Sequence, residues 1–537
     1  MRANLLIVSD LHFGEDLLPG ASAEKQRAVA LGAHTFCEFL RHHGQRRMDG
    51  KPWRLVVAGD LFDFMSVTLS AAPGFPARDH DERRSGRRRS VATGPARLAR
   101  IAQAHQGVFA ELMRFAAAGH EIDLIVGNHD IELLEVDTQA ELRRQLLAAA
   151  PRLGAAEQKA ALERICVRPW FVYLPKVAWI EHGHVYDEAC SFERGQAPFD
   201  PVSGDLLSNV DDAAVRYLAQ AAPELDPHGT EEWGFTGYLR YSLGRGVGSS
   251  VRLLASYVAF TRALFSARRA HRATRRRNAR HELHRQRVAA IARAEGLAPT
   301  AIWAIDRLSR APVTRSARRL MSMLMLDRWL LVLGGLAAAL AALVALSGPM
   351  ALVTALVLAI GGAMAAHRIS VSTVGSQVPM RSVPERLRRL VDAKVVVFGH
   401  THDPHQAALP LGGVYLNTGT WLPASRPGIL RSFTHVLIRV DAAGVARPEL
   451  RQWRDGKSAP FVELAQARQA SRPGTAGDER LGARAGQAVR ALGSSPRLPV
   501  SGPQEGANSS DPHVIQPVAG AANSALVEEA SLPGGVS

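Results

Sequence analysis

Five short motifs concentrate the residue types that bind metal ions: Asp10-Leu11-His12, Gly59-Asp60-Leu61-Phe62-Asp63, Gly127-Asn128-His129-Asp130, His182-Gly183-His184 and Gly399-His400-Thr401-His402. In a strand, side chains at i and i+2 share a face, so a D-x-H or H-x-H at a strand end can aim both groups into one pocket. Carboxylate oxygen, amide oxygen and imidazole nitrogen form a mixed ligand set suited to Mn, Fe or Zn, and no thiolate demands zinc alone. The neighbouring glycines let the backbone turn sharply. Singly, each motif is also ordinary turn chemistry, because Asn, Asp and Gly favour turns for local reasons. Five of them in order, each behind an apolar run, are not explained that way.

The elements that must position these residues read as short buried strands at residues 5–8, 55–58, 124–126, 177–180 and 395–398, with further strands at 414–416 and 436–440. Helical patterns at 23–43 and 97–118 lie between them, each closing near a glycine, Gly44 or Gly119. The alternation is that of an α/β domain. Strand rhythm stops after His184 and resumes at Val395, which predicts one domain in two parts, 1–187 and 386–466, split by an insertion over 188–385. Beyond it, 467–537 is rich in Gly, Pro, Ser, Ala and Gln and is expected to be disordered.

The 38 residues from Trp329 to Ala366 contain no Asp, Glu, Lys, Arg or His. A single helix of that length would run about 57 Å, well beyond a hydrocarbon core of roughly 30 Å. Ser347-Gly348-Pro349 supplies a break, giving two spans, 329–346 and 350–366, joined as a hairpin. A pair of buried soluble helices and a shallow re-entrant pair are the alternatives. Both metal-motif halves must meet in one site, so the chain between them crosses an even number of times; the arginines between Arg268 and Arg319 predict that the site faces the cytoplasm.

The net charge of +15 points to an anionic partner such as phospholipid, nucleic acid or a phosphorylated substrate. Three cysteines without C-x-x-C spacing argue against a disulfide framework and a structural zinc site, and fit a reducing compartment. The apolar run of four residues before Ser9, Leu5 to Val8, is too short for a signal peptide. The basic run from Arg83 to Arg89 either overhangs the site to meet an anionic headgroup or is a solvated loop. Nine arginines between Arg268 and Arg287, against Glu282 alone, predict a basic helix drawn to anionic lipid. No aromatic residue interrupts them, which weighs against single-stranded nucleic acid. A helix at 251–265 is expected on the membrane interface or packed under the domain, and the Gly-rich stretch at 244–250 lacks a P-loop ending.

The five motifs in this order resemble the calcineurin-like metallophosphoesterases, whose pattern is D-x-H, G-D-x-x-D, G-N-H-[DE], a separate histidine motif and G-H-x-H. The resemblance covers 1–187 and 386–453, and Asn417-Thr418-Gly419-Thr420-Trp421 looks like the family's closing strand. It implies a four-layer α/β/β/α sandwich, here with a long helical insertion containing the transmembrane hairpin, and a two-metal site, with Mn foremost and Fe, Zn or Mg as alternatives. Carried over by position, Asp10, His12 and His402 would hold one ion, Asn128, His182 and His400 the other, and Asp60 would bridge them. His129 would face the phosphate as the catalytic residue, Asp130 would orient its ring, and Asp63 would give outer support. His184 would touch substrate or make a structural hydrogen bond. The chain is also partly similar to the UDP-diacylglucosamine hydrolases, which carry arginine where His129 stands here and lack so long an inserted hairpin.

Two divalent ions about 3.5–4 Å apart can clamp a phosphoryl group and lower the pKa of bound water from 15.7 to roughly 7, giving hydroxide at neutral pH. Imidazole suits proton donation to a leaving oxygen because its pKa lies near the working pH. The function expected is therefore a membrane-anchored phosphoesterase acting on a phosphoester or pyrophosphate that is lipid-linked. A nuclease or soluble-nucleotide phosphodiesterase tethered to the membrane, and an inactive membrane scaffold, are the competing readings.

Overall fold

The computed structural model describes residues 3–69, 74–222, 244, 246–368, 377–410, 412–423, 432–441 and 445–461, all within the compact unit Met1–Gln469. The expected disordered tail at 467–537 lies outside the described residues.

The first part of the chain alternates strands and helices: β1 (Asn4–Val8), α1 (Ala23–Gly44), β2 (Trp53–Ala58), α2 (His80–Ser85), α3 (Gly94–Ala104), α4 (Gln106–Ala117), β3 (Glu121–Ile125), α5 (Val136–Ala149), α6 (Ala155–Glu163) and β4 (Ile165–Arg168). A hairpin of β5 (Phe171–Leu174) and β6 (Ala178–Glu181) follows. Helices then take over: α7 (Val210–Ala213), α8 (Val247–Arg272), α9 (Thr274–Ala294), α10 (Pro299–Asp306), α11 (Ala317–Met323), α12 (Leu326–Ala345), α13 (Pro349–Arg368) and α14 (Gln377–Leu390). The chain returns to strands as β7 (Val395–Phe398), β8 (His405–Ala408), β9 (Val414–Asn417), β10 (Thr434–Val440), β11 (Ala446–Arg454) and β12 (Lys457–Pro460).

The fold is mixed α/β with two sheets. One is ordered β12-β11-β10-β1-β2-β3-β4, the other β5-β6-β7-β9-β8. β1 to β4 run parallel to one another, as do β6, β7 and β9. Both faces of β1 are buried: Leu5 and Ile7 pack against Ile180, Val395 and Val397 of the second sheet, while Leu6 and Val8 join Phe36, Phe39 and Leu112 under the helices. That is why β1 reads as an unbroken apolar run with no polar alternation. The second sheet is covered on its outer side by α9, α10 and α14, where Val288, Ile291, Ile305 and Leu387 meet Trp179, Val396 and Phe398. Helices that follow β6 in sequence thus supply a layer of the fold. Although some two hundred residues separate them, β6 and β7 are adjacent and paired, with Ile180 opposite Val397.

Several expected elements change. The helix predicted over 97–118 is two helices, broken at His105, whose φ of −118° and ψ of 38° are not helical. The helix predicted over 251–265 runs from Val247 to Arg272. The looked-for closing strand keeps only Asn417; Thr418 to Trp421 form a loop that binds the motif turns together, with Thr420 Oγ1 donating to the Asp10 carbonyl (3.0 Å) and Asn417 Nδ2 to the Gly399 carbonyl (2.7 Å).

Helices α12 and α13 are long and apolar enough to cross a membrane. α12 begins three residues before the expected 329 and ends one short of 346, and α13 runs from one residue before the expected 350 to two beyond 366, because Asp327-Arg328 and His367-Arg368 continue the helical turns. Pro349 opens α13, where its missing N–H costs no bond, and Gly348 turns the chain at φ +70°. Only 17% of each apolar window is buried, so most of each helix is left uncovered by the fold. Leu330, Leu340, Val344, Leu352 and Val357 all face outward.

The basic runs are more structured than expected. Glu82, the residue before the first run, is buried and accepts hydrogen bonds from the Arg78 and Arg87 guanidinium groups and the Arg88 backbone, so 83–89 is tied down instead of forming a solvated loop. Of the second run, Arg280 pairs with Glu193, Arg287 with Glu135 and Arg276 with Asp200. Part of its charge holds α9 to the domain and is not offered to lipid.

Candidate metal centre

All five motifs lie just past the C-terminal ends of parallel strands: β1, β2 and β3 in one sheet, β6 and β7 in the other. This is the end at which open α/β sheets bind ligands. The positions i and i+2 do not converge by strand alternation, as the spacing suggested. Asp10, His12, Asp60, His400 and His402 have left the strands and adopt left-handed backbone, with φ between 50° and 70°. Such values are uncommon outside glycine, and residues held there cluster at functional sites. Five of the eleven non-glycine residues of positive φ among the described residues belong to these motifs.

Two motif glycines make room for the side chains. A Cβ on Gly127 would collide with Oδ1 of Asp60, and one on Gly59 with the His182 ring. The glycine of each motif therefore admits a candidate ligand from another.

Three overlapping sets offer ligand atoms within 4.8 Å of one another: Asp10, His12 and His402; Asp10, Asp60 and His182; and His12, Asp60 and His129. Nε2 of His402 lies 3.2 Å from Asp10 Oδ1 and 3.1 Å from His12 Nε2. On the other side, His182 Nε2 lies 3.1 Å from Asp60 Oδ2 and 3.0 Å from Asn128 Oδ1. Its Nδ1 donates to the Ala58 carbonyl (2.9 Å), which fixes the tautomer and turns the Nε2 lone pair toward the cluster. Asp10, His12 and Asp60 are each shared between two of these sets, so the three sets form one continuous cluster.

His400 departs from the expected grouping. Its ring stands 5.2 Å from that of His182, but Nε2 lies 3.2 Å from Oδ2 of Asp187, and its closest ligand set is Asp187 and Cys190. The buried Asp187 ends the short turn after His184 and supplies a carboxylate at that ring. A bond from Nε2–H to Asp187 leaves Nδ1 with the lone pair.

The carboxylate against the His129 ring is that of Asp63, not that of Asp130, for which the orienting contact was expected. Oδ1 of Asp63 lies 3.1 Å from Nδ1 of His129, whereas Asp130 accepts from the backbone N–H groups of Gly127 (2.7 Å) and Leu61 (2.9 Å) and ties two motif loops together. Burial and then Asp60 push Asp130 up to about 7. His184 is buried 5.4 Å from the His182 ring, and its Nδ1 makes no hydrogen bond, so the structural bond considered for it is not made through that nitrogen.

Burial opposes charge throughout the cluster, yet Asp60 and Asp10 push His182 up to about 9, and Asp60, Asp63 and Asp211 hold His129 well above the usual imidazole range. Burial likewise opposes ionisation of Asp10, but His402 and His182 bring it to about 2. His12 is lowered to about 3 by burial and then by His129. The carboxylates thus favour positive charge in a buried place. Oδ1 of Asp10 is fully buried and faces His402 Nε2 at 3.2 Å without hydrogen-bond geometry. Carboxylate oxygens and imidazole nitrogens crowded into one buried place are a donor set that fits a divalent metal pair.

Three contributors had no motif to announce them. Asp211 of α7 accepts from Asn128 Nδ2 (2.9 Å) and lies 3.4 Å from His129 Nε2. Arg89 is buried, pairs with Glu132 and donates to the carbonyls of Asn128 and His129 (3.0 Å to the latter), bracing that loop from behind. Asp187 is the third. Arg89 and Asp187 stood within or beside noted segments, but nothing in the sequence singled out Asp211. No family model and no curated protein matches the chain.

Proposed function

We propose that this protein is a membrane-anchored, dinuclear-metal phosphoesterase of the calcineurin-like kind, hydrolysing a phosphoester or pyrophosphate bond in a lipid-linked substrate. The observation that carries the reading is the convergence of five ligand-bearing loops, from both sheets, on one buried cluster with Asp60 shared between its sets. The two facing sheets with helices outside them are compatible with the metallophosphoesterase sandwich.

Asp10, His12 and His402 would hold one ion, Asn128 and His182 the second, with His400 approaching through Nδ1 and Asp60 between them. When bound, a divalent pair polarises the phosphoryl group and activates water. The chain's own residues do the rest. Asp211 fixes the Asn128 amide so that Oδ1 faces His182. Asp63 accepts a hydrogen bond from Nδ1–H of His129, leaving Nε2 directed at the cluster, from where it can give a proton to the leaving oxygen. The Asp63 carboxylate steadies the imidazolium before that transfer.

The apolar pair α12 and α13 supports the membrane part of the reading, and arginines flanking it support a cytoplasmic catalytic face. The test is hydrolysis of a chromogenic phosphodiester by protein stripped of metal and then given manganese. Activity should appear with the metal, vanish with a chelator and be abolished by Asp60→Asn. Near wild-type turnover by a metal-loaded Asp60→Asn variant would sink the dinuclear assignment.

A further inference from the structure

Behind the Asn128–His129 loop lies a cavity of about 970 Å³, at the upper end of the roughly 300–1,000 Å³ typical of ligand sites. Met65 and Arg89 line it, and both touch the candidate centre: the Met65 N–H donates to Asp63 Oδ1 (2.9 Å) and Arg89 to the His129 carbonyl. The opposite wall is one face of α8, whose lining residues recur at helical spacing from Val251 to Arg269, about 27 Å at 1.5 Å per residue.

That face changes character along its length. Its first half presents Val251, Leu254 and Val258, which are 60%, 61% and 45% exposed. Its second half presents Arg262 and Arg269, and Arg84 of α2 joins them from across the cavity. The acidic residues of the lining are already taken: Asp81 by Arg88 and Arg216, Asp200 by Arg276, Asp205 by Arg78 and Asp212 by Arg89. Among the described residues, none pairs with Arg84, Arg262 or Arg269. The cavity therefore joins an exposed apolar strip to three guanidinium groups that have no partner among the described residues.

The apolar end also adjoins the membrane helices. The Tyr257 hydroxyl donates to the Leu324 carbonyl at the end of α11, and Phe260, Leu320, Leu324 and Leu326 share one apolar cluster that reaches the first residue of α12. From these observations we infer that the cavity is a binding site for an anionic lipid, with an acyl chain on Val251, Leu254 and Val258 and a phosphate-bearing head between Arg84, Arg262 and Arg269. Guanidinium groups suit phosphate oxygens. The inference rests on the membrane reading above for the route of entry.

The experiment uses the full chain in nanodiscs of neutral phosphatidylcholine doped with a sub-saturating photoactivatable phosphatidic acid, with crosslinks mapped by mass spectrometry and those on α12 and α13 as internal reference. Crosslinks on the α8 peptides 251–269 are expected, and Arg262→Gln with Arg269→Gln should reduce them roughly 30-fold relative to the reference, from the usual strength of one basic charge toward anionic lipid. Leu254→Ser with Val258→Ser should reduce them as well, with unchanged circular dichroism showing that both variants fold. Unchanged labelling in both variants, or equal labelling by a photoactivatable diacylglycerol, overturns the lipid site. Full competition by inorganic phosphate at the concentration of the lipid also overturns it, in favour of a soluble phosphate ligand. Because no arm needs turnover, failure here leaves the phosphoesterase test untouched, and the reverse holds too.

Discussion

Asp211 and Asn128 stand 83 residues apart in sequence, and the Oδ2 of the first receives the Nδ2–H of the second at 2.9 Å. The bond decides which way the Asn128 amide points, leaving its oxygen to the cluster. Asp211→Ala should raise the manganese concentration for half-maximal activity by roughly 10–100-fold, the usual cost of losing a group that orients a ligand. Asp211→Asn, which keeps a carbonyl acceptor, should lose less. An unchanged metal-activation curve in the alanine variant would remove Asp211 from the centre.

Asp63 and Asp130 should separate kinetics from stability. Asp63→Ala removes the partner of His129 Nδ1 and should cut kcat by about 10²-fold or more, with little further loss when His129→Ala is added, as expected for residues acting as one unit. Asp130→Ala leaves the Gly127 and Leu61 N–H groups without their acceptor and should cost about 1–3 kcal/mol of stability. Denaturant unfolding beside steady-state kinetics distinguishes the two, and the reverse pattern would restore Asp130 as the orienting group.

Gly335 and Gly362 mark where α12 and α13 meet. A Cβ on Gly335 would lie 3.0 Å from the Gly362 Cα and 2.8 Å from the Leu358 carbonyl oxygen; one on Gly362 would lie 2.7 Å from the Leu331 carbonyl oxygen. Small residues let membrane helices approach this closely. Gly335→Leu or Gly362→Leu should lower thermal stability in detergent by about 1–3 kcal/mol. At Gly334 and Gly361, where a Cβ meets nothing within 4 Å, the same change should be tolerated. Equal effects at all four positions would contradict this packing.

Replacing residues 326–368 with a Gly-Ser linker should move the protein from the carbonate-washed membrane fraction to the supernatant. Turnover of a soluble chromogenic diester should survive, whereas turnover of a lipid-linked phosphoester in mixed micelles should fall. Equal turnover of the lipid substrate by both forms would reduce the hairpin to a tether.

His43 and His435 predict the acid side of the stability curve. Both are buried 6.5 Å apart, and burial, followed by neighbouring positive groups, depresses His43 to about 2 and His435 to about 3. The unfolded chain, with histidines near 6.5, takes up protons that the native state refuses. The stability these neutral rings allow is therefore complete above pH 6.5 and is lost as pH falls toward about 3, by up to roughly 1.4 kcal/mol per pH unit for each. Chemical denaturation with saturating manganese, repeated on His43→Leu, should show a shallower acid slope in the variant; an identical slope would dismiss His43 as its source.

The strands ending in motif residues were legible in the sequence because a strand buried on both faces must be apolar throughout, as Leu5–Val8 and Val395–Phe398 are. The hairpin was legible because 38 residues without charge admit few environments. Residue types at Asp10, Asp60 and His182 likewise pointed to one ligand-rich cluster, which the fold assembles. Their convergence was not written locally: left-handed backbone at Asp10, His12, Asp60, His400 and His402, stabilised by contacts such as His400 N–H with Asp10 Oδ2 across 390 residues, replaces the strand alternation that spacing implied. Side-chain partners were the least legible, because Asp63 or Asp130, Asp187 or none, are equivalent in composition and differ only in where the packed loops leave each carboxylate. Asp211 shows the limit: a lone acid in an insertion acquires its place only when α7 docks beside Asn128, and no periodicity along the chain encodes a contact made across the fold.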